Sequence, residues 1–231
     1  MRRGGRRLAL RVAQGGPKAQ KPPKPCRDSD DATVNLPDED RCRELMRQFE
    51  MLPHIVEHSY RVCQIALFLV AVLDRAGVSL NRDLVTAGSL LHDITKTRSI
   101  QTREPHAESG RVLLLELGYP EVAEVVGGHV NFDGGDPSKP LSETDIVNYA
   151  DKRVRHVQVV SLKERFEDLV ARYGKTDEAR KRLKAMKENV RRLEARIFAP
   201  LDMDPAVLGG FNRLSPYDLA SAVLEARASL G

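Results

Sequence analysis

Ionisable residues set in register with apolar ones constrain this chain more than any other feature. His58 shares a stripe with Val62, Ile65, Leu69 and Val72, spaced by three or four residues, so a helix here points an imidazole into a core. Asp151 stands four residues after Val147 and three before Val154, which puts a carboxylate on an inward helical face. His129 follows Val125 and Val126 by four and three residues, and His106 shares a face with Gly110, Leu113 and Leu117. His92 and Asp93 close the apolar run Ser89-Leu90-Leu91, with Leu84, Gly88 and Leu91 marking the buried side. A single inward histidine is ordinarily a hydrogen-bonded core residue. Four histidines and two aspartates from five helical segments would instead stack unsatisfied polar groups in one core unless they converge on cations. Imidazole mixed with carboxylate suits Fe, Mn, Zn, Ni or Co rather than Ca.

The rest of the pattern is helical, and the expected fold class is all-α. Aromatic residues make up 5% and there is no Trp, which argues against a sandwich or barrel. Helices are predicted from Asp38 to about Leu52, from Pro53 to Ala76 with a stop at Gly77, and from Arg82 to about Ile94. The stretch TKTRSIQTRE reads as a polar loop leading to Pro105, and a helix then runs to Leu117 and stops at Gly118. Pro120 opens another to about Val130, NFDGGDPSKP reads as a loop, and the capping-box pattern Ser142 to Asp145 opens a long helix to about Tyr173. From Lys163 to Arg196, 12 basic and 7 acidic residues interleave with apolar ones, which describes a solvated helical hairpin broken at Gly174. Pro200 and Pro205 then break the chain, and Ser215-Pro216 caps a final short helix to about Ala228. Strand-like alternation of any length is not apparent.

The net charge of +4 is unevenly placed. Nine basic residues and no acid fall between Arg2 and Arg27, so the remainder carries −5. Residues 1–36, rich in Gly, Pro and Lys without hydrophobic periodicity, read as a disordered basic tail ahead of a domain over 37–231. The mildly acidic body carries no nucleic-acid footprint, so no specific nucleic-acid partner is expected. The longest apolar run, Ile65 to Leu73, falls short of a bilayer span, and no membrane partner is expected. Cys26, Cys42 and Cys63 lack C-x-x-C spacing, and no apolar segment follows the basic N-terminus as in a secretion signal, so a reducing cytoplasm is the expected compartment.

The order His58, His92-Asp93, His106, His129, Asp151 resembles the HD-domain metal-dependent phosphohydrolase superfamily. HSYRVCQIALFLVAVL and LLHDITK look like its first motifs and NYADKRV like its closing one, over about residues 50–160. The two intermediate histidines resemble its binuclear branch, which includes bacterial symmetrical diadenosine tetraphosphate hydrolases. The resemblance implies an HD-type helical bundle with a charged C-terminal helical extension. It also implies two divalent first-row ions, one held by His58, His92, Asp93 and Asp151, the other by His106 and His129, with Asp93 bridging.

The function so implied is hydrolysis of a phosphate ester or anhydride of a nucleotide or another small phosphorylated molecule, through a hydroxide bridging two metals. Asp93 and Lys96 are the catalytic candidates. Lys96 matches the lysine of the family's HD-x-x-K pattern; Arg61, Arg98, Arg103, Lys152 and Arg155 are further phosphate contacts to examine, the last placed one turn beyond Asp151 on the same helix. Many relatives read HDIGK where this chain has Thr95, so the turn after Asp93 is expected to differ slightly, and no GYP motif follows. His54, one turn before His58, would either line the pocket or cap its helix. Two other readings stay open: a di-iron oxygenase of the inositol-oxygenase or phosphonate-oxygenase type, which uses the same six-ligand order, and a non-catalytic signalling module. The apolar positions of the 176–197 helix would serve a homodimer as well as intramolecular packing.

Overall fold

The structure, a computed structural model, describes residues 35–130 and 139–228; the basic tail over 1–34 and most of the NFDGGDPSKP loop lie outside them. Helix α1 (Glu39–Gln48) starts where the Asp38 carboxylate accepts from the Arg41 backbone N–H, with Glu39 and Asp40 in its first turn. Pro53 then opens α2 (Pro53–Arg75), which ends ahead of Gly77 at φ +83°. Asn81 caps α3 (Arg82–Leu91) by accepting from the Asp83 and Leu84 N–H groups. Next come α4 (Lys96–Thr102), α5 (His106–Glu116), stopped by Gly118 at φ +83°, and α6 (Pro120–Gly128). The capping box of Ser142 and Asp145 forms with both reciprocal bonds and opens α7 (Glu143–Arg153).

Helix α2 is the axis of the bundle. It packs against α3 and α7, and every residue from Ser59 to Val70 is buried. Among the described residues it is also the helix long and apolar enough to cross a membrane by length and composition, with a mean hydropathy of 1.4 over its best window. The nine-residue apolar run understated this. Because 78% of that window is buried inside the protein, its apolarity is accounted for by the core. Gly88 lets α3 close on α6: a Cβ there would meet Val125 Cγ1 at 2.5 Å.

Three sequence expectations need correction. The single long helix to Tyr173 is two, α7 and α8 (Leu162–Tyr173), separated by a small antiparallel hairpin of β1 (Val154–Arg155) and β2 (Gln158–Val159) paired Val154 to Val159. Val154, Val157, Val159 and Val160 are β-branched and favour extended backbone, His156 takes φ +57° at the turn, and Ser161 with Glu164 forms a second capping box that restarts the helix. The TKTRSIQTRE segment is mostly the helix α4, anchored where Ser99 Oγ donates to the Glu104 carbonyl at 2.6 Å. Beyond α9 (Asp177–Phe198), residues Pro205–Arg213 form a 3₁₀ helix where only chain breaks were expected, and α10 (Leu219–Ala228) packs back on α2. Gly174 separates α8 from α9 as expected.

Candidate metal centre

Five elements deliver the six inward residues to one place. His58 comes from α2, His92 and Asp93 from the turn after α3, His106 from the first residue of α5, His129 from the end of α6, and Asp151 from α7. The rings of His58 and His92 lie 5.4 Å apart between centroids, those of His92 and His129 5.1 Å, and those of His106 and His129 5.2 Å. Ligand atoms form two groups, each within 4.8 Å: His58, His92 and Asp93, then Asp93, His106 and His129. Asp93 belongs to both. Its Oδ2 lies 3.6 Å from His92 Nε2, and its Oδ1 lies 3.2 Å from His106 Nε2 and 3.8 Å from His129 Nε2.

Three of the imidazoles are fixed from behind. His92 Nδ1 donates to the Ser89 carbonyl at 2.7 Å, His129 Nδ1 to the Val126 carbonyl at 2.5 Å, and His58 Nδ1 to the His156 carbonyl at 2.8 Å. A carbonyl can only accept, so Nδ1 carries the proton and each Nε2 presents a lone pair to the centre. Yet His92 Nε2 and Asp93 Oδ1 are buried without a hydrogen-bond partner. Opposed acceptors in a buried site are what a cation resolves, and the donor set of imidazoles and carboxylates suits a divalent first-row ion. Asp151 contributes Oδ1 at 3.0 Å from His58 Nε2, while its Oδ2 is held by Lys152 Nζ at 2.7 Å.

The electrostatics follow from this crowding. Burial pushes His129 down to about 3 and His106 down to about 4, with neighbouring cationic groups acting in the same direction, and His92 is lowered by burial too. These rings are therefore neutral and able to donate lone pairs at neutral pH. Burial alone would raise the two aspartates; the charge of Lys96 instead holds Asp93 below its ordinary range, and that of Lys152 does so for Asp151.

Thr95 explains how the turn after Asp93 tolerates a residue other than Gly. Its backbone sits at φ −99°, open to any side chain, and its hydroxyl donates to the His106 carbonyl at 2.8 Å. This ties the His92-Asp93 turn to the helix carrying His106. Lys96 follows with Nζ 3.5 Å from Asp93 Oδ1 and 3.3 Å from His106 Nε2.

A cavity of about 670 Å³ opens over these residues, lined also by Lys96, Lys152 and His54. Arg98, Arg103 and Arg155 do not line it. Arg98 pairs with Glu104, Arg103 ends α4 in the left-handed region, and Arg155 lies on the hairpin rather than on the helix of Asp151, donating to Gln158. Arg61 is buried and committed to the Val157, Phe211 and Leu214 carbonyls, at 3.0, 2.6 and 2.8 Å. Sequence reasoning missed the opposite wall: His156, Arg165, Leu169, Arg172, Leu183 and Met186 face the cavity, so part of the charged hairpin is not simply a solvated face. The apolar residues interleaved along α8 and α9 were the available signal.

Comparison with known proteins fits this geometry. Residues 55–156 match the model of the HD domain family, and that span holds all six inward residues. These residues are similar to an HD domain. The chain's relatives include a dihydroneopterin 2′,3′-cyclic phosphate phosphodiesterase of Methanocaldococcus jannaschii, 33% identical over 126 residues, covering 47% of this chain and 49% of the relative. The chain thus spans about half the length of that protein. An uncharacterized protein of the same organism, MJ0778, is 27% identical over 153 residues, covering 61% of this chain and 89% of the relative. No solved structure matches significantly. Helices α8 to α10 lie outside the HD-domain match.

Proposed function

We propose that this chain is a divalent-metal-dependent phosphohydrolase acting on a small phosphorylated molecule, with a phosphodiester or cyclic phosphate as its preferred bond. The observation that carries the reading is Asp93, shared between two histidine groups, with its buried Oδ1 and the His92 Nε2 both left without a hydrogen-bond partner. His58, His92, Asp93 and Asp151 would hold one ion, and Asp93, His106 and His129 a second. Bound there, divalent ions supply an activated water near neutral pH and offset charge on the phosphoryl oxygens.

The chain's own residues do the rest. Three backbone carbonyls hold His58, His92 and His129 with Nε2 facing the centre, so little reorganisation accompanies binding. Lys96 Nζ stands at the cavity edge beside Asp93, where a phosphoryl oxygen would take its charge; Lys152, already engaged by Asp151, chiefly keeps that carboxylate ionised and aimed. Hydrolysis breaks the ester P–O bond, forms a new one to the water oxygen, and delivers a proton to the departing alkoxide. The relative's named activity supports the choice of a phosphodiester, and nucleotides belong to the same substrate panel.

The test is metal analysis of protein purified without added metal. It is followed by turnover of 2′,3′-cyclic nucleotides, dihydroneopterin 2′,3′-cyclic phosphate, nucleoside monophosphates and diadenosine tetraphosphate, with and without Mn or Fe. Metal-dependent cleavage of at least one of them is expected. No cleavage of any, together with O2 uptake by iron-loaded protein, would overturn the reading in favour of an oxygenase.

A further inference from the structure

The distal wall of the cavity has a chemistry of its own. Arg165 on α8 lines the cavity with its side chain 15% exposed; its Nε is buried without an acceptor, and Nη1 reaches Asp168 Oδ2 only at 3.5 Å. Next to it, Arg172 donates from Nε to Asp168 Oδ1 at 3.0 Å and from Nη2 to His156 Nε2 at 2.9 Å. One carboxylate thus serves two guanidiniums. What remains is hydrogen-bond donor capacity from Arg165, with a single net positive charge, set beside the apolar Leu169, Leu183 and Met186. Apart from His156, the residues of this wall lie outside the HD-domain match, whereas the six inward residues lie within it.

From this we infer that Arg165 is a specificity-determining residue that binds the end of the substrate distal to the scissile phosphate, and that this end is a planar heterocycle bearing a ring carbonyl. The inference rests on the phosphohydrolase reading. A guanidinium in an apolar setting wants a planar acceptor, which a carbonyl edge provides, while the ring faces pack on Leu169, Leu183 and Met186. A second phosphate fits less well, because Asp168 already offsets half of the charge on the wall and no apolar side chain favours an anion. The cavity, at about 670 Å³, has room for a heterocycle, its linking alcohol and a phosphate together.

Purines and pterins share this chemistry, so the experiment separates them. Steady-state kinetics compare guanosine 2′,3′-cyclic phosphate, its pterin counterpart and the ring-free methyl riboside 2′,3′-cyclic phosphate, for the wild type, Arg165→Met and Arg165→Lys. The wild type should prefer at least one ring-bearing compound over the ring-free one by tenfold or more in kcat/KM. Arg165→Met should cut that ratio about tenfold, chiefly through KM, and Arg165→Lys should recover part of it. Calorimetry gives a readout independent of turnover: wild-type protein should bind guanosine 2′-monophosphate or its pterin analogue more tightly than ribose phosphate, and Arg165→Met should lose that margin. Thermal unfolding confirms that each variant is folded.

An unchanged ratio in Arg165→Met overturns the proposal. So does an equal loss on ring-bearing and ring-free compounds, which would place Arg165 at the reacting phosphate, or tighter binding of a ring-free bisphosphate than of either ring-bearing monophosphate. Absence of turnover with every compound overturns the hydrolase reading instead, and calorimetry then still decides the subsite.

Discussion

Three of the four inward histidines, His58, His92 and His129, are set by a bond on the side away from the centre. Where Nδ1–H is committed to a carbonyl, the ring cannot turn to satisfy Nε2 elsewhere, and the unpartnered Nε2 of His92 follows directly. Asp93 is the residue whose loss should matter most, since it stands in both ligand groups. Asp93→Ala should therefore retain less than half of the wild-type divalent metal after desalting, by elemental analysis, while His54→Ala, exposed at the start of α2, should retain all of it. Full retention by Asp93→Ala would remove Asp93 from the centre. His156 makes a second residue-scale case. It adopts φ +57°, its carbonyl holds His58, and its ring accepts from Arg172. A β-branched side chain is strained in that conformation and Gly is not. His156→Val should lower stability by about 1–2 kcal/mol in chemical denaturation and weaken metal binding, whereas His156→Gly should keep the metal; equal behaviour of the two would mean that the backbone conformation is not what matters.

At the scale of elements, close packing and capping decide which helices can meet. A Cβ on Gly88 would reach Val125 Cγ1 at 2.5 Å, and valine has little freedom to yield. Gly88→Ala should cost about 1–3 kcal/mol and displace the end of α3 that carries His92 and Asp93, read as a lower denaturation midpoint together with lower metal content. Ser161 lies at the start of α8, and Ser161→Ala should cost about 1 kcal/mol, a loss that Ser161→Asp restores. Most element starts and stops could be read from the chain because they rest on local chemistry: Asp38, Pro53, Gly77, Gly118 and the Ser142 box each act within a turn. The inward residues were legible for the same reason, since helical spacing alone aligns His58 with Val62 and Ile65. The hairpin between α7 and α8 was hidden because charged helical residues on both sides outweighed four valines, although Ser161 and Glu164 repeat the capping pattern already recognised at Ser142. Arg61 could not be read at all, because two of its carbonyl partners lie 150 and 153 residues away. For the same reason Arg165 and Arg172 looked like members of a solvated face until the fold set α8 across from the metal centre.

Over the whole molecule, stability at high pH should be limited by groups that the fold keeps protonated. Cys42 on α1 and Cys63 on α2 are fully buried, and burial pushes the Cys42 thiol from its ordinary 9.0 up to about 12 and raises Cys63 well above 9.0. A folded value above the unfolded one means that the unfolded chain releases its proton first as pH rises. The contribution is therefore fully present below about pH 9 and is lost as pH climbs from 9 towards 12, at a limiting slope of ~1.4 kcal/mol per pH unit for each thiol. Burial raises Tyr149 and Tyr60 above their ordinary 10.0 as well, which steepens the decline in the same direction at still higher pH. Urea denaturation should consequently give a midpoint that is level between pH 7 and 8.5 and falls from pH 9 onward. Removing both thiols in Cys42→Ala/Cys63→Ala should lower the midpoint at pH 7 by the cost of two small cavities, yet flatten the decline between pH 9 and 10, where the tyrosines have barely begun to titrate. Equal slopes for the variant and the wild type over that interval would show that the buried thiols do not set the alkaline limit.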